Sequence, residues 1–283
     1  LIGSTQRSCV VYHPLPIDSF FNLTSQIKSI ALDKQRVIYK DLGRVRYKDA
    51  WDYQENLLQE NVKVKSYLMN RQRSHSPSGT GVEHQPADMA TVTTSYFLLC
   101  EHPPVYTLGK SGSLSNVLIS EEEMQQKGIE FYKTNRGGDI TFHGPEQVVG
   151  YPIIDLEKLY TDIGRYLREL EEVIILTLAE YGITGERSKG ETGVWIEPGR
   201  AGRERKICAM GVRCSRWITM HGFALNVNTD LSYFDHIIPC GILNKQVTSI
   251  QKELQKKVDM QEVKEKLQRN FENVFGVSLS TQY

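Results

Sequence analysis

Cysteine is scarce in this chain: Cys9, Cys100, Cys208, Cys214 and Cys240 are five residues, odd in number and irregularly spaced over 283 positions. That is a poor disulfide framework, and a chain of this length can bury a core without one, so a reducing compartment is expected. No pair of cysteines has the C-x₂₋₄-C spacing of structural zinc, and no metal is expected. An excess of either charge is also missing, since 34 Lys and Arg residues offset 34 Asp and Glu. This leaves no global field for nucleic acid and no polybasic run for a membrane surface. No apolar stretch approaches the roughly 20 residues that cross a bilayer. The expectation is a soluble protein of the cytoplasm, or of the mitochondrion in a eukaryote. Neither the P-loop nor the dinucleotide glycine spacing occurs, and there is no internal repeat.

What is present is a set of strand-length apolar runs and a few long helical patterns. Val37 to Tyr39 and Tyr96 to Cys100 read as strands. So do Glu130 to Lys133, Asp139 to Phe142, Val148 to Ile154, Gly193 to Ile196, Lys206 to Arg213, Trp217 to Met220 and Phe223 to Val227. Apolar residues recur at helical spacing from Tyr47 to Leu68, from Asp162 to Tyr181 before Gly182, and from Asp259 to Phe275 before Gly276. Strands come in consecutive runs rather than alternating with helices. That predicts an α+β fold, a mixed β-sheet flanked by helices. Residues 1–36 are expected to be a leader without assignable role, 37–283 a single catalytic domain, and 71–89, rich in Ser, Pro, Gly and His, a disordered insertion.

Three places could carry chemistry. Arg136-Gly137-Gly138-Asp139-Ile140-Thr141-Phe142-His143 is the densest. Two glycines let the backbone approach a ligand closely, and on a strand Thr141 and His143 would share the face opposite Ile140 and Phe142. A glycine-rich hairpin with a satisfied histidine is the plainer reading of the same residues. Cys240, between Pro239 and Gly241, stands on a rigid turn with little cover, which suits a nucleophile better than a buried packing thiol. Lys206 would favour its thiolate if the fold brings the two together.

These blocks fall in an ordered series: Glu101 to Gly109, Arg136 to Gln147, Val149 to Pro152, Gly193 to Trp195, Lys206 to Gly211, His221 to Val227, Pro239 to Gly241 and Val247 to Ser249. In that series the chain resembles the lipoate-biosynthesis octanoyltransferases, the lipoyl(octanoyl) transferases, from about Val37 to Ile250. The resemblance implies transfer of an octanoyl group from octanoyl-acyl carrier protein to a lysine of lipoyl domains, on 2-oxoacid dehydrogenase E2 subunits and the glycine-cleavage H protein. It implies a fold similar to biotin protein ligase and class II synthetase catalytic domains, with no cofactor, in an expected monomer. Carried over by position, Cys240 would form the acyl-thioester and Lys206 would activate it. Arg136 to His143, Ala209, Met210, Gly211, Gly222, Phe223 and Ala224 would bind the acyl chain. Glu146 departs from the family's glycine, and Cys208, two after Lys206, would crowd the pocket if both faced it. An ATP-dependent lipoate or biotin ligase, for which Gly199 to Arg203 is a faint phosphate loop, and a non-catalytic carrier-domain binder are the alternative readings.

Overall fold

Strand formation follows the apolar runs in the computed structural model, which describes residues 34–74, 92–238 and 246–281. In chain order the strands are β1 (Arg36–Arg44), β2 (Ser95–Glu101), β3 (Val105–Leu108), β4 (Glu130–Lys133), β5 (Ile140–His143) and β6 (Gln147–Ile153), followed by β7 (Glu186–Ser188), β8 (Glu191–Ile196), β9 (Arg205–Ser215), β10 (Ile218–Asn226), β11 (Gln246–Val247) and β12 (Ser278–Thr281). The main sheet has the order β12-β1-β2-β6-β10-β9-β8-β7, with β11 added beside β9. Its β12-β1-β2 edge is parallel and the run from β2 to β7 antiparallel. A smaller sheet, β4-β3-β5, stands apart. All of β6 and β10 is buried, which explains why β6 reads as a continuous apolar run rather than an alternating one.

The helices cover both faces of the main sheet. α1 (Tyr47–Ser74) lays Ala50, Leu57 and Leu58 on Leu98, Val149, Ile153 and Ala224. After the short α2 (Glu121–Gln126) comes α3 (Ile163–Ala179), then α4 (Ile250–Leu254) and α5 (Met260–Phe275). α3 and α5 pack together over Phe97, Leu99, Val148, Phe223 and Leu225 on the opposite face. α3 begins where the Asp162 carboxylate accepts the Arg165 N–H, and α5 ends at Gly276 in the left-handed conformation, φ 64°. Each fully buried Leu on these faces contributes about 1.5–3 kcal/mol.

The α+β expectation stands, with differences in detail. The strands expected at Trp217 to Met220 and Phe223 to Val227 are one, β10, because the ladder to β9 continues through His221 at its left-handed φ of 57°, while Trp217 lies in the turn before it. α1 continues through Arg71 to Ser74, the first four residues of the expected insertion, and 75–91 lies outside the described residues. So does 1–33 of the expected leader, whose last residue, Arg36, is the first of β1. Among the described residues no helix is long and apolar enough to cross a membrane.

Candidate active site

The Arg136 loop lies flat on the main sheet because glycine lets it. Gly137 donates its N–H to the Val212 carbonyl of β9 at 3.0 Å. Beneath it, a Cβ on Gly211 would stand 2.5 Å from the Gly137 carbonyl oxygen, closer than real contacts allow. The loop is held from within by Arg136, whose Nη2 donates to the Thr107 and Asp139 carbonyls at 2.6 and 2.8 Å and whose Nη1 donates to the Gly137 carbonyl at 3.0 Å. Lys110 and Ser111 N–H groups bind the carbonyls of Arg136 and Gly138, which joins the loop to the end of β3.

Between this loop, the sheet and α3 lies a cavity of about 540 Å³, within the range of small-molecule sites. Arg136, Gly137, Gly138, Asp139, Ile140, Thr141 and His143 line it, as do Lys206, Ala209, Met210, Gly211, Gly222, Phe223 and Ala224. Phe142 is the exception among the described residues expected there. Its ring stacks on Tyr233 at 4.5 Å and packs against Tyr106 and Phe234, filling the core of the small sheet. Strand alternation puts Phe142 on that side and His143 on the cavity side. Tyr47, Tyr151, Ile163, Leu167, Thr192, His221 and Val247 also line the cavity, and none was singled out from the sequence. Tyr151, His221 and Val247 lie within the blocks that carry the resemblance. Ile163 and Leu167 read as the core face of a helix, and nothing in sequence distinguishes a helix face on a core from one on a cavity.

Lys206 reaches this cavity through a bulge. Val194 pairs with Cys208 and Trp195 with Lys206, so two residues of β8 face three of β9 and Ile207 is the extra one. An extra residue turns the side chain next to it. Lys206 is 9% exposed with its ammonium 4.5 Å from the Trp195 ring centroid, while Cys208 is buried in the core under α3 and α5. The two do not share the pocket, so Cys208 does not crowd it. Burial also pushes the Cys208 thiol pKa well up, which makes it inert. Gly193, φ 115°, has its N–H held by the Glu171 carboxylate at 2.9 Å and passes the Lys206 side chain without a Cβ. Cys240 lies outside the described residues. The chain on either side of its segment is fixed, with Ile238 N–H on the Asn116 carbonyl at 2.8 Å and Val247 paired with Lys206.

Three buried histidines flank the cavity and all are held neutral. His102 donates from Nδ1 to the Val45 carbonyl at 2.7 Å and faces the Tyr151 hydroxyl at 2.7 Å. Burial lowers its pKa to about 4. His221, 2.7 Å from Asn135 Oδ1, is lowered to about 3 by burial and then by the Arg136 and Arg213 charges. His143 stacks on Tyr47 and is lowered well below the ordinary histidine value by burial, His102 and Arg136. Among the described residues no group of three or more His, Cys, Asp or Glu side chains could hold a metal. The Gly199 to Arg203 turn does not line the cavity, and Arg200 and Arg203 pair with Glu197.

Residues 46–272 match the family described as the lipoyl protein ligase A/B catalytic domain. Among similar proteins, an octanoyltransferase from Christiangramia forsetii is 55% identical over 249 residues, covering 88% of this chain and 99% of that one. Another, from Flavobacterium psychrophilum, is 57% identical over 241 residues, 85% of this chain and 97% of its own. Of solved structures, the bipartite lipoate protein ligase of Thermoplasma acidophilum superposes with TM-score 0.58 at 15% identity, over 88% of this chain and 87% of that one. A lipoate-protein ligase A bound with ATP gives 0.58 at 13%, over 88% of each. At such identities the likeness is one of fold.

Proposed function

Because the chain belongs to the lipoyl protein ligase A/B catalytic-domain family, as an octanoyltransferase acting in protein lipoylation, we propose that it works through a cysteine relay. The donor is octanoyl-acyl carrier protein. The Cys240 thiolate attacks the thioester carbonyl, the C–S bond to the carrier breaks, and the carrier thiolate leaves and takes a proton from the Lys206 ammonium, which becomes the neutral amine. A lysine amine of a lipoyl domain, on an E2 subunit or the glycine-cleavage H protein, then attacks the Cys240 thioester. The C–N bond forms, Cys240 departs as thiolate, and Lys206 takes the proton from the amine. Exchange of one thioester for another is nearly isoenergetic, so no ATP is needed.

The observation that carries this reading is the delivery of Lys206, by a bulge, into a cavity lined with apolar Met210, Phe223, Ala224, Ile163 and Leu167. Each methylene of an octanoyl chain buried there is worth about 0.8 kcal/mol. A bound chain would lie against the Arg136 to His143 wall. The proposed setting is the cytoplasm, in keeping with the few, scattered cysteines. Intact mass after incubation with octanoyl carrier protein tests the relay. One octanoyl adduct on the wild-type chain, mapped to Cys240 and absent from Cys240→Ser, is expected. Octanoylation of a lipoyl domain by Cys240→Ser at the wild-type rate would remove the covalent step, and a requirement for ATP with free octanoate would favour a ligase.

A further inference from the structure

A buried chain of hydrogen bonds runs from the cavity wall to the strand that carries Lys206, and all its donors point one way. Arg136 Nη2 donates to Thr107 Oγ1 at 2.9 Å, and Thr107 Oγ1 stands 3.2 Å from His143 Nε2. His143 Nδ1 is 2.9 Å from Gln147 Oε1. Gln147 Nε2 donates to Asn226 Oδ1 at 2.8 Å, and Asn226 Nδ2 donates to the Thr248 carbonyl at 2.9 Å.

The ends fix the direction. A guanidinium only donates and a carbonyl only accepts. Gln147 cannot be reversed, because its Nε2 also donates to the Phe142 carbonyl at 3.1 Å. Oε1 therefore faces His143, which must donate from Nδ1 and accept the Thr107 hydroxyl at Nε2. His143 is thus a neutral imidazole with its proton on Nδ1, in keeping with the depressed pKa that burial gives it. Every member is more than nine-tenths buried, so each bond polarises the next in a medium of low dielectric.

The far end is tied to the proposed general base. Thr248 N–H donates to the Lys206 carbonyl at 2.9 Å. The Thr248 hydroxyl donates to Glu253 Oε1 at 2.6 Å, and that carboxylate is held in turn by Arg205. Breaking the chain at Asn226 takes the side-chain donor from the buried Thr248 carbonyl and leaves Gln147 Nε2 with only the Phe142 carbonyl, next to the point where Lys206 is set.

We infer that Gln147 and Asn226 are positioning residues for acyl transfer, completing a one-way hydrogen-bond chain that keeps Lys206 in register with the Arg136 to His143 wall. The inference rests on the role proposed above for Lys206. Two measurements test it. Nitrogen-15 NMR of histidine-labelled wild-type protein is expected to show His143 neutral and protonated at Nδ1 through the neutral range. Asn226→Ala and the isosteric Asn226→Asp, which accepts from Gln147 but cannot donate to Thr248, are expected to lower kcat for octanoyl transfer roughly 10- to 100-fold. KM for octanoyl carrier protein should stay within about threefold, since Asn226 does not line the cavity. A His143 proton on Nε2, or a folded Asn226→Asp with full kcat, overturns the inference. If the wild type transfers no octanoyl at all, the functional reading fails instead, and the tautomer still decides whether the chain exists.

Discussion

Replacing Gly211 by alanine puts a methyl group where the Gly137 carbonyl oxygen stands. The built Cβ lies 2.5 Å from that oxygen and 3.3 Å from Arg136 Nη1. The closer neighbour is backbone, so no rotamer change relieves it, and the loop must retreat by at least about half an ångström. Overpacking of this kind costs about 1–3 kcal/mol, and for a chain of this size each kcal/mol lowers Tm by about 2–4 °C. The loop's bond from Gly137 N–H to Val212 loosens at the same time, and a wall misplaced by about 1 Å can cost on the order of 100-fold in rate. The contrast is with Gly137→Ala in the same motif, whose Cβ would meet only the Val212 carbonyl at 3.4 Å, an ordinary contact. Calorimetric Tm and octanoyl transfer should therefore drop for Gly211→Ala, while Gly137→Ala keeps its Tm within about two degrees. Equal Tm losses for the two variants would refute the reasoning, because only the first has no space.

Acid should destabilise the protein well above the carboxylate range. His102, His143 and His221 have folded pKa values below that of an unfolded histidine, so the unfolded chain binds more protons and stability is lost as pH falls from about 6.5 towards 4. Each contributes up to about 1.4 kcal/mol per pH unit. Urea midpoints across that window measure it, and a flat profile would contradict the buried neutral assignment. Trp195→Leu removes the ring beneath the Lys206 ammonium, a contact worth about 0.5–2 kcal/mol, and is expected to slow octanoyl transfer about 2- to 30-fold, with Trp195→Phe retaining most of the rate. Equal rates for the Leu and Phe variants would show that the ring face contributes nothing.

The sheet was legible where burial writes a continuous apolar run, as in β2 and β6, and α3 and α5 were legible from their period and caps. β12 was not, since Ser278 to Thr281 carries one large apolar residue and forms only because β1 offers an edge to pair with. The site was read from motif order, which placed Arg136, Lys206 and Gly211 around one cavity. That order did not separate the residues that face the cavity from those that pack beside it. The Ile207 bulge separates Lys206 from Cys208, and no residue type announces it. Phe142 resembled an acyl contact because it is large and apolar, but the small sheet needed a core of its own. The continuity of β10 depends on His221 adopting a conformation more often taken by glycine, so the sequence there reads as a break.

The parallel pairing of β12 with β1 joins residues at opposite ends of the described chain, Arg36 with Ser278 and Tyr39 with Thr281. During synthesis β1 leaves the ribosome about 240 residues ahead of its partner. Until then one side of Arg36 to Tyr39 is an unsealed edge, able to recruit another nascent chain. A product cut short before Ser278 would retain every residue that lines the cavity and still carry that open flank, so its hazard would be self-association rather than loss of the site.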